Sequence, residues 1–242
     1  FMYGMYGYGY GYGLDPTIIL VLIGVALSLW AQGRVNSTFS RYSRVRSMTG
    51  MTGAEAARRL LNAQGIYDVT VQQIAGELTD HYDPRTKTVN LSQSVYGATS
   101  VAAIGVAAHE CGHAMQDNEG YAPLRFRSAL VPVANFGSSL SWPLILLGLV
   151  FGGLGSPLVE IGILMFSLAV LFQLVTLPVE YNASARAVRL LDAQGILAGE
   201  EVNGTRKVLN AAALTYVAAA ATSILQLLRL IILFGGRNRR DR

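Results

Sequence analysis

Four segments of this chain are long and apolar enough to cross a lipid bilayer, which takes about 20 predominantly apolar residues per helix. The first, 16–33, carries no charge. The second lies in the uncharged stretch between Arg127 and Glu160, which "GGLGSP" at 152–157 divides with a turn signal. The third runs 161–178 and the fourth 211–234. The fourth contains Arg229, close enough to the helix end for its charged head to reach the interface. Any one of these would pass as a buried helix of a soluble protein, but four in 242 residues would not. Composition agrees: 14% of the residues are charged, against about 25% in an average soluble domain. The net charge of +4 then reports topology rather than an affinity for nucleic acid. A single cysteine, Cys111, excludes an intrachain disulfide.

The expected fold is a mainly α integral membrane protein with about four transmembrane helices and a small α+β domain at the membrane surface. A disordered Tyr/Gly tail (1–13) precedes the first transmembrane helix (14–33). The first part of the surface domain (34–128) is followed by a transmembrane hairpin (129–178). Its second part (179–210), a fourth transmembrane helix (211–236) and a basic tail (237–242) complete the chain. If all four helices cross, the regions 34–128 and 179–210 share a side. They hold most of the arginines beside the spans, which places them in the cytoplasm and the protein in the cell membrane. The basic tail "RNRRDR" argues the other way, and leaves open whether the fourth helix fully crosses.

Within the surface domain, "TGAEAARRLLNAQGI" at 52–66 reads as a helix, with Thr52 and Glu55 at capping-box spacing and Gly65 as its stop. "VTVQQI" at 69–74 reads as a strand, and 77–92 as a hairpin turning at Asp83-Pro84-Arg85-Thr86. From about Thr99 to Asn118 the chain is alanine-rich and helical. "ARRLLNAQGI" at 57–66 and "AVRLLDAQGI" at 187–196 agree at eight of ten positions, which a shared way of ending a helix explains.

Two of the three histidines fall four residues apart on the alanine-rich helix, in "HECGH" at 109–113. Residues i and i+4 share a helix face, so His109 and His113 can bind one metal ion. Glu110, beside them, suits a general base that takes a proton from a metal-activated water. Cys111 points to another face and reads as a small buried thiol. Gly112 costs helix stability, which suggests close approach of another backbone. A hydrolytic zinc site needs a third ligand. No histidine follows, so the candidates are Glu119, Glu160, Glu180, Glu200 and Glu201. Glu119 is too near on the same helix, Glu160 lies across the membrane, and Glu200 and Glu201 fall in a polar loop. A two-span hairpin returns the chain to the side it left, which favours Glu180; the alternative is a carboxylate capping a helix at the membrane edge. His81 is a candidate oxyanion donor or hydrogen-bond partner of a ligand, the alternative being a hairpin histidine bonded to Asp80 or Asp83. The strand with Thr88, Val89, Asn90 and Leu91 is a candidate sheet edge for an extended substrate.

"AAHECGHAMQ" and "LPVEYNASARA", separated by a hydrophobic hairpin, resemble the YugP-like family of bacterial membrane neutral zinc metallopeptidases. "LTDHYDPRTKTVNLS" and the opening "LWAQGRV…YSRVRS…TGAEAARRLL" carry the same likeness, which runs from Trp30 to about Arg229. The plan is also similar to the HtpX-like membrane proteases, in which a glutamate after the spans completes the site. There an aspartate typically follows that glutamate by four residues; here Ser184 stands in its place and offers a hydrogen bond instead. The resemblance implies a zincin-like domain, one zinc ion per chain on His109, His113 and Glu180, and Glu110 as general base. The resemblance does not supply a substrate; the whole chain reads as an integral-membrane zinc endopeptidase that takes protein or peptide substrates and acts on membrane or membrane-proximal proteins. The alternative is a catalytically silent metal-binding scaffold or chaperone. Substrate, specificity and oligomeric state are not legible.

Overall fold

The structure, a computed structural model, describes residues 15–153 and 156–235. Both tails and part of the 152–157 turn lie outside these residues. Four long helices organise the molecule: α1 (Ile18–Tyr42), α5 (Ala122–Gly152), α6 (Pro157–Ala193) and α7 (Glu200–Phe234). Each is long and apolar enough to cross a membrane, and most of each apolar stretch is unburied by protein. Between α1 and α5 lie α2 (Gly53–Ala63), β1 (Thr70–Ile74), β2 (His81–Asp83), β3 (Thr88–Ser92), α3 (Gln93–Tyr96) and α4 (Val101–Asn118). The protein is thus a mainly α membrane protein with a small α+β part.

The long helices pack through small residues, as helices in lipid do when backbones must come close. A Cβ at Gly137 would lie 2.7 Å from the Met165 carbonyl oxygen, and one at Gly162 would lie 2.8 Å from that of Ser141. These contacts close α5 against α6. On the other side α1 packs on α7, where Thr222 donates to the Gly24 carbonyl at 3.1 Å. At the far end of that pair, Arg229 reaches Thr17 (3.2 Å) and Asp15 (3.4 Å), so its charge at the bilayer edge is neutralised.

All four long helices overrun the spans that hydropathy marks. α1 continues nine residues beyond Gly33, and α6 runs through Pro178 to Ala193 without interruption. Glu180 therefore stands on the same helix as the third span. Glu200 and Glu201, expected in a polar loop, form the first turn of α7 instead. Gly199 (φ +54°) turns the chain, and an acidic pair suits the positive end of the helix that follows. Glu201 also accepts the Met48 backbone N–H at 2.7 Å.

The sheet has the order β1-β3-β2, with β1 parallel and β2 antiparallel to β3. This corrects the reading of Thr88–Leu91 as a sheet edge. β3 is the central strand, both of its ladders are filled, and all five of its residues are buried. The free outer strands are β1 and β2. Val89 and Leu91 enter a core with Leu60 and Leu61 of α2, Ile104 of α4, and Leu191 and Ile196 at the end of α6. That core ties the end of α6 to α4. The ten-residue echo is a repeated helix stop. Gly65 (φ +70°) and Gly195 (φ +59°) turn the chain, and Ile66 and Ile196 bond back to Leu61 and Leu191 at 2.9 and 3.0 Å. Both isoleucines are buried, as the Schellman arrangement requires.

Candidate metal centre

α4 is built to be enclosed. Ser100 caps it by accepting the Ala103 N–H at 3.2 Å, and alanine and glycine let neighbours approach on nearly every side. At Gly112 a Cβ would sit 2.6 Å from the Ala183 carbonyl oxygen of α6. The two backbones touch here because neither residue carries a side chain larger than a methyl. One turn before Ala183, α6 presents Glu180. The close approach that the glycine suggested therefore sets Glu180 against the face of His109 and His113.

The Glu180 Oε2 atom lies 3.2 Å from His109 Nε2 and 3.4 Å from His113 Nε2. The ligand atoms of these three residues all lie within 4.8 Å of one another. Each imidazole is oriented through its other nitrogen. His109 Nδ1 is 3.1 Å from the Ser184 hydroxyl, and His113 Nδ1 is 3.0 Å from Gln116 Oε1. The Gln116 amide nitrogen donates to the Val179 carbonyl and to Asn182, both at 2.9 Å. Its oxygen must therefore face His113, whose Nδ1 carries a proton and whose Nε2 is turned to the carboxylate. Two imidazole nitrogens turned on a buried carboxylate call for positive charge between them, a proton or a metal ion. The donor set, two imidazole nitrogens and one carboxylate oxygen, is one that zinc takes in hydrolytic sites. At His113 burial pushes the pKa down, but the Glu180 hydrogen bond and the charges of Glu110 and Glu180 hold it above the ordinary value, so this point draws positive charge.

Other glutamates weighed as ligands are elsewhere. Glu119 pairs with Arg186 at 2.5 Å, Glu201 serves the 48 and 198 backbone, and Glu160 stands in the first turn of α6, at the opposite end of the span from Glu180. Glu110 is buried and lines the cleft beside the ligand atoms. That cleft has two limbs, both reaching His109, Glu110, Glu180 and Tyr216. One limb, about 290 Å³, is largely apolar and runs between Val35 and Phe39 of α1, Val106 of α4 and Ala212 of α7. The other, about 530 Å³, carries more charged side chains and runs between the β2 hairpin and α5, past Asp80, His81, Arg85, Arg127 and Asn135.

His81 lines this second limb and is hydrogen-bonded to neither Asp80 nor Asp83. Its Nδ1 lies 2.9 Å from the Thr79 carbonyl and its Nε2 3.2 Å from the Asn90 amide. Asn90 and Thr88 are buried beside it rather than open to a substrate. Cys111 is buried, with its sulfur 3.6 Å from the Ala57 carbonyl and its thiol pKa pushed far up by desolvation. Two residues in the cleft went unremarked as functional. Arg127, which sequence reads only as a topology signal, has its Nη2 3.7 Å from Glu180 Oε1 and a buried Nε without a partner among the described residues. Tyr216, hidden in the fourth apolar segment, lies within electrostatic reach of Glu180, Glu110 and Arg127. Its signal was the one tyrosine of that apolar span. Gln116 could have been found from its spacing, three residues beyond His113 on the same face.

Known proteins share this arrangement of sequence. A family described as "Putative neutral zinc metallopeptidase" matches residues 17–235. The chain is 49% identical over 217 residues to the "Putative membrane protease YugP" of Bacillus subtilis (strain 168), covering 90% of this chain and 96% of that protein. No solved structure matches the chain. A match spanning every element from α1 to α7 shows that the chain belongs to the family described as "Putative neutral zinc metallopeptidase".

Proposed function

We propose that the protein is a membrane-embedded zinc endopeptidase that hydrolyses peptide bonds in membrane proteins or their membrane-proximal segments. The observation that carries this reading is the meeting of His109, His113 and Glu180 in a cleft that Glu110 also lines. His109, His113 and Glu180 would hold one zinc ion per chain. When bound, zinc supplies an acidified water and a Lewis acid for the carbonyl under attack. Glu110 takes a proton from the attacking water and returns it to the departing amine nitrogen. Ser184 and Gln116 hold the two imidazoles with Nε2 turned inward. Arg127 and Tyr216 are assigned to negative charge building on the carbonyl oxygen. His81 is the weaker candidate for that task, since both ring nitrogens already have partners.

An extended substrate would add to the free side of β2, whose strand partner is β3 on the other side. The catalytic parts, 34–128 and 179–210, are assigned to the cytoplasmic side by the arginines beside the spans. A silent scaffold would be expected to seal its histidines, so the open two-limbed cleft favours hydrolysis. The test is zinc content of detergent-purified protein beside Glu180→Ala, then cleavage of membrane-protein substrates beside Glu110→Gln. About one zinc per chain, lost in Glu180→Ala, with cleavage lost but zinc kept in Glu110→Gln, is the expected result. Full zinc in Glu180→Ala would remove it from the site. Cleavage undiminished in Glu110→Gln would sink the hydrolytic assignment.

A further inference from the structure

A second concavity lies between α1 and α7, with none of the three candidate ligands in its lining. It is a groove of about 680 Å³ to which α1 contributes Arg34 and Arg41, α6 contributes Tyr181, and α7 contributes Lys207 and Leu214. No carboxylate lines it. Among the described residues none of its three cations joins an ion pair, whereas Arg127, Arg186, Arg229 and Lys87 all do. Arg41 rests over the Tyr42 ring, with 5.6 Å between guanidinium carbon and ring centroid. Three cations gathered in a concave site without a counter-charge repel one another, and an anion seated among them relieves this.

Position says which anion. Arg34 is the first charge after the apolar run of α1, and Lys207 the last before that of α7. Tyr181 follows Glu180, the first charge after the apolar run of α6. Three helices thus bring the groove to the level where the hydrocarbon ends, and the exposed Trp30 one turn from Arg34 suits the same layer. Leu214 lies two turns further along α7 than Lys207, about 10 Å deeper into the apolar segment. Cations outside and aliphatic surface inside match the polarity of a lipid.

We propose that this groove binds the phosphate headgroup of an anionic phospholipid, with an acyl chain laid along α7 past Leu214. Arg34, Arg41 and Lys207 hold the phosphate. A zwitterionic headgroup fits less well, because its quaternary ammonium would enter a site with no carboxylate. The site is independent of the peptidase reading and would stand without it.

The experiment titrates detergent-purified, delipidated protein with short-chain phosphatidylglycerol or phosphatidylcholine and counts bound lipid by native mass spectrometry. The parent should prefer phosphatidylglycerol. The pair Arg34→Gln and Lys207→Gln should lower that affinity roughly 10- to 30-fold, at about 1 kcal/mol per surface cation. The pair Arg44→Gln and Arg46→Gln removes equal charge outside the groove and should leave it unchanged. Equal loss in the two double variants would overturn the site in favour of diffuse surface charge. So would equal binding of both lipids by the parent, a measurement that needs no variant to fold. Displacement of phosphatidylglycerol by equimolar inorganic phosphate would overturn the lipid as occupant.

Discussion

At the scale of single residues, the proposed metal centre depends on groups outside its three candidate ligands. Ser184 takes the Nδ1 side of His109 at 3.1 Å, and Gln116 does the same for His113 at 3.0 Å. Removing such a partner typically weakens metal binding 10- to 100-fold. Ser184→Ala is expected to fall in that range while the fold survives, as read by competition with a fluorescent zinc chelator. Ser184→Asp should recover most of the loss, since a carboxylate accepts the same hydrogen bond; no recovery would mean the serine acts by packing alone. Gly112→Ala tests the contact that brings the helices together. Its Cβ would meet backbone, the Ala183 carbonyl oxygen at 2.6 Å, and backbone cannot swing aside. Overpacking of this kind costs about 1–3 kcal/mol. Here it would also push α6, and Glu180 with it, away from the histidines. A lower unfolding temperature with weakened zinc binding is the expected outcome. At Gly105 the obstacle is the Thr205 side chain at 2.8 Å, which can turn, so Gly105→Ala should cost less.

At the scale of elements, α6 is both membrane span and ligand-bearing helix, a union that residue patterns conceal. Hydropathy drops at Glu180, so a span reads as ending there, yet nothing in the backbone stops the helix before Gly195. The same pattern suggests a loop at Glu200 and Glu201, because a polar stretch beside a span looks the same whether it is irregular or helical. Sequence was a good guide wherever a local rule governs. The Thr52–Glu55 capping box is present in both of its hydrogen bonds, and the two "AQGI" stops are both built on left-handed glycines. It failed where pairing is non-local. β3 became central because β1 joins it in parallel, with register Thr70 to Thr88, and no turn chemistry announces a parallel partner. Arg127 and Tyr216 were missed for a like reason: their meeting with Glu180 depends on how α5, α6 and α7 pack. The meeting of Glu180 with the histidines was legible only because a hairpin of two spans must return. Helix continuity gives a sharp prediction. One alanine inserted after Gln173 rotates everything beyond it by about 100° and advances it about 1.5 Å. Such a chain should still enter the membrane as helix, by circular dichroism in detergent, but keep less than about a tenth of the parent's zinc. Zinc retained at full occupancy would show that α6 does not act as one rigid unit.

At the scale of the whole molecule, the remaining question is which way the assembly faces. The core joins α2, α4 and β3 to Leu191, Ile196, Leu197 and Val202, so both charged parts of the chain lie on one side of the four helices. The far ends of α1 and α7 meet through Arg229, Asp15 and Thr17, and the α5–α6 turn lies at the opposite end of α6 from the metal centre. The arginines beside the spans favour the proposed cytoplasmic placing of the metal centre. The protein offers an unusually clean way to check this, because its lone cysteine is buried, and burial also raises its thiol pKa far above neutrality. Thiolate is the reactive form, so the parent should stay unlabelled by maleimides while folded. Met48, 88% exposed on the domain side, and Phe151, 80% exposed at the tip of α5, then serve as reporters. In intact cells a membrane-impermeant maleimide should label Phe151→Cys and spare Met48→Cys; after permeabilisation both should react. The reverse pattern would turn the metal centre outward, and with it the pool of substrates. Protection of both until permeabilisation would mean that α5 and α6 form a hairpin that enters the bilayer without crossing. In that case α1 and α7 alone would set the topology, and the pairing of Arg229 with Asp15 would mark the outer edge of a two-span protein.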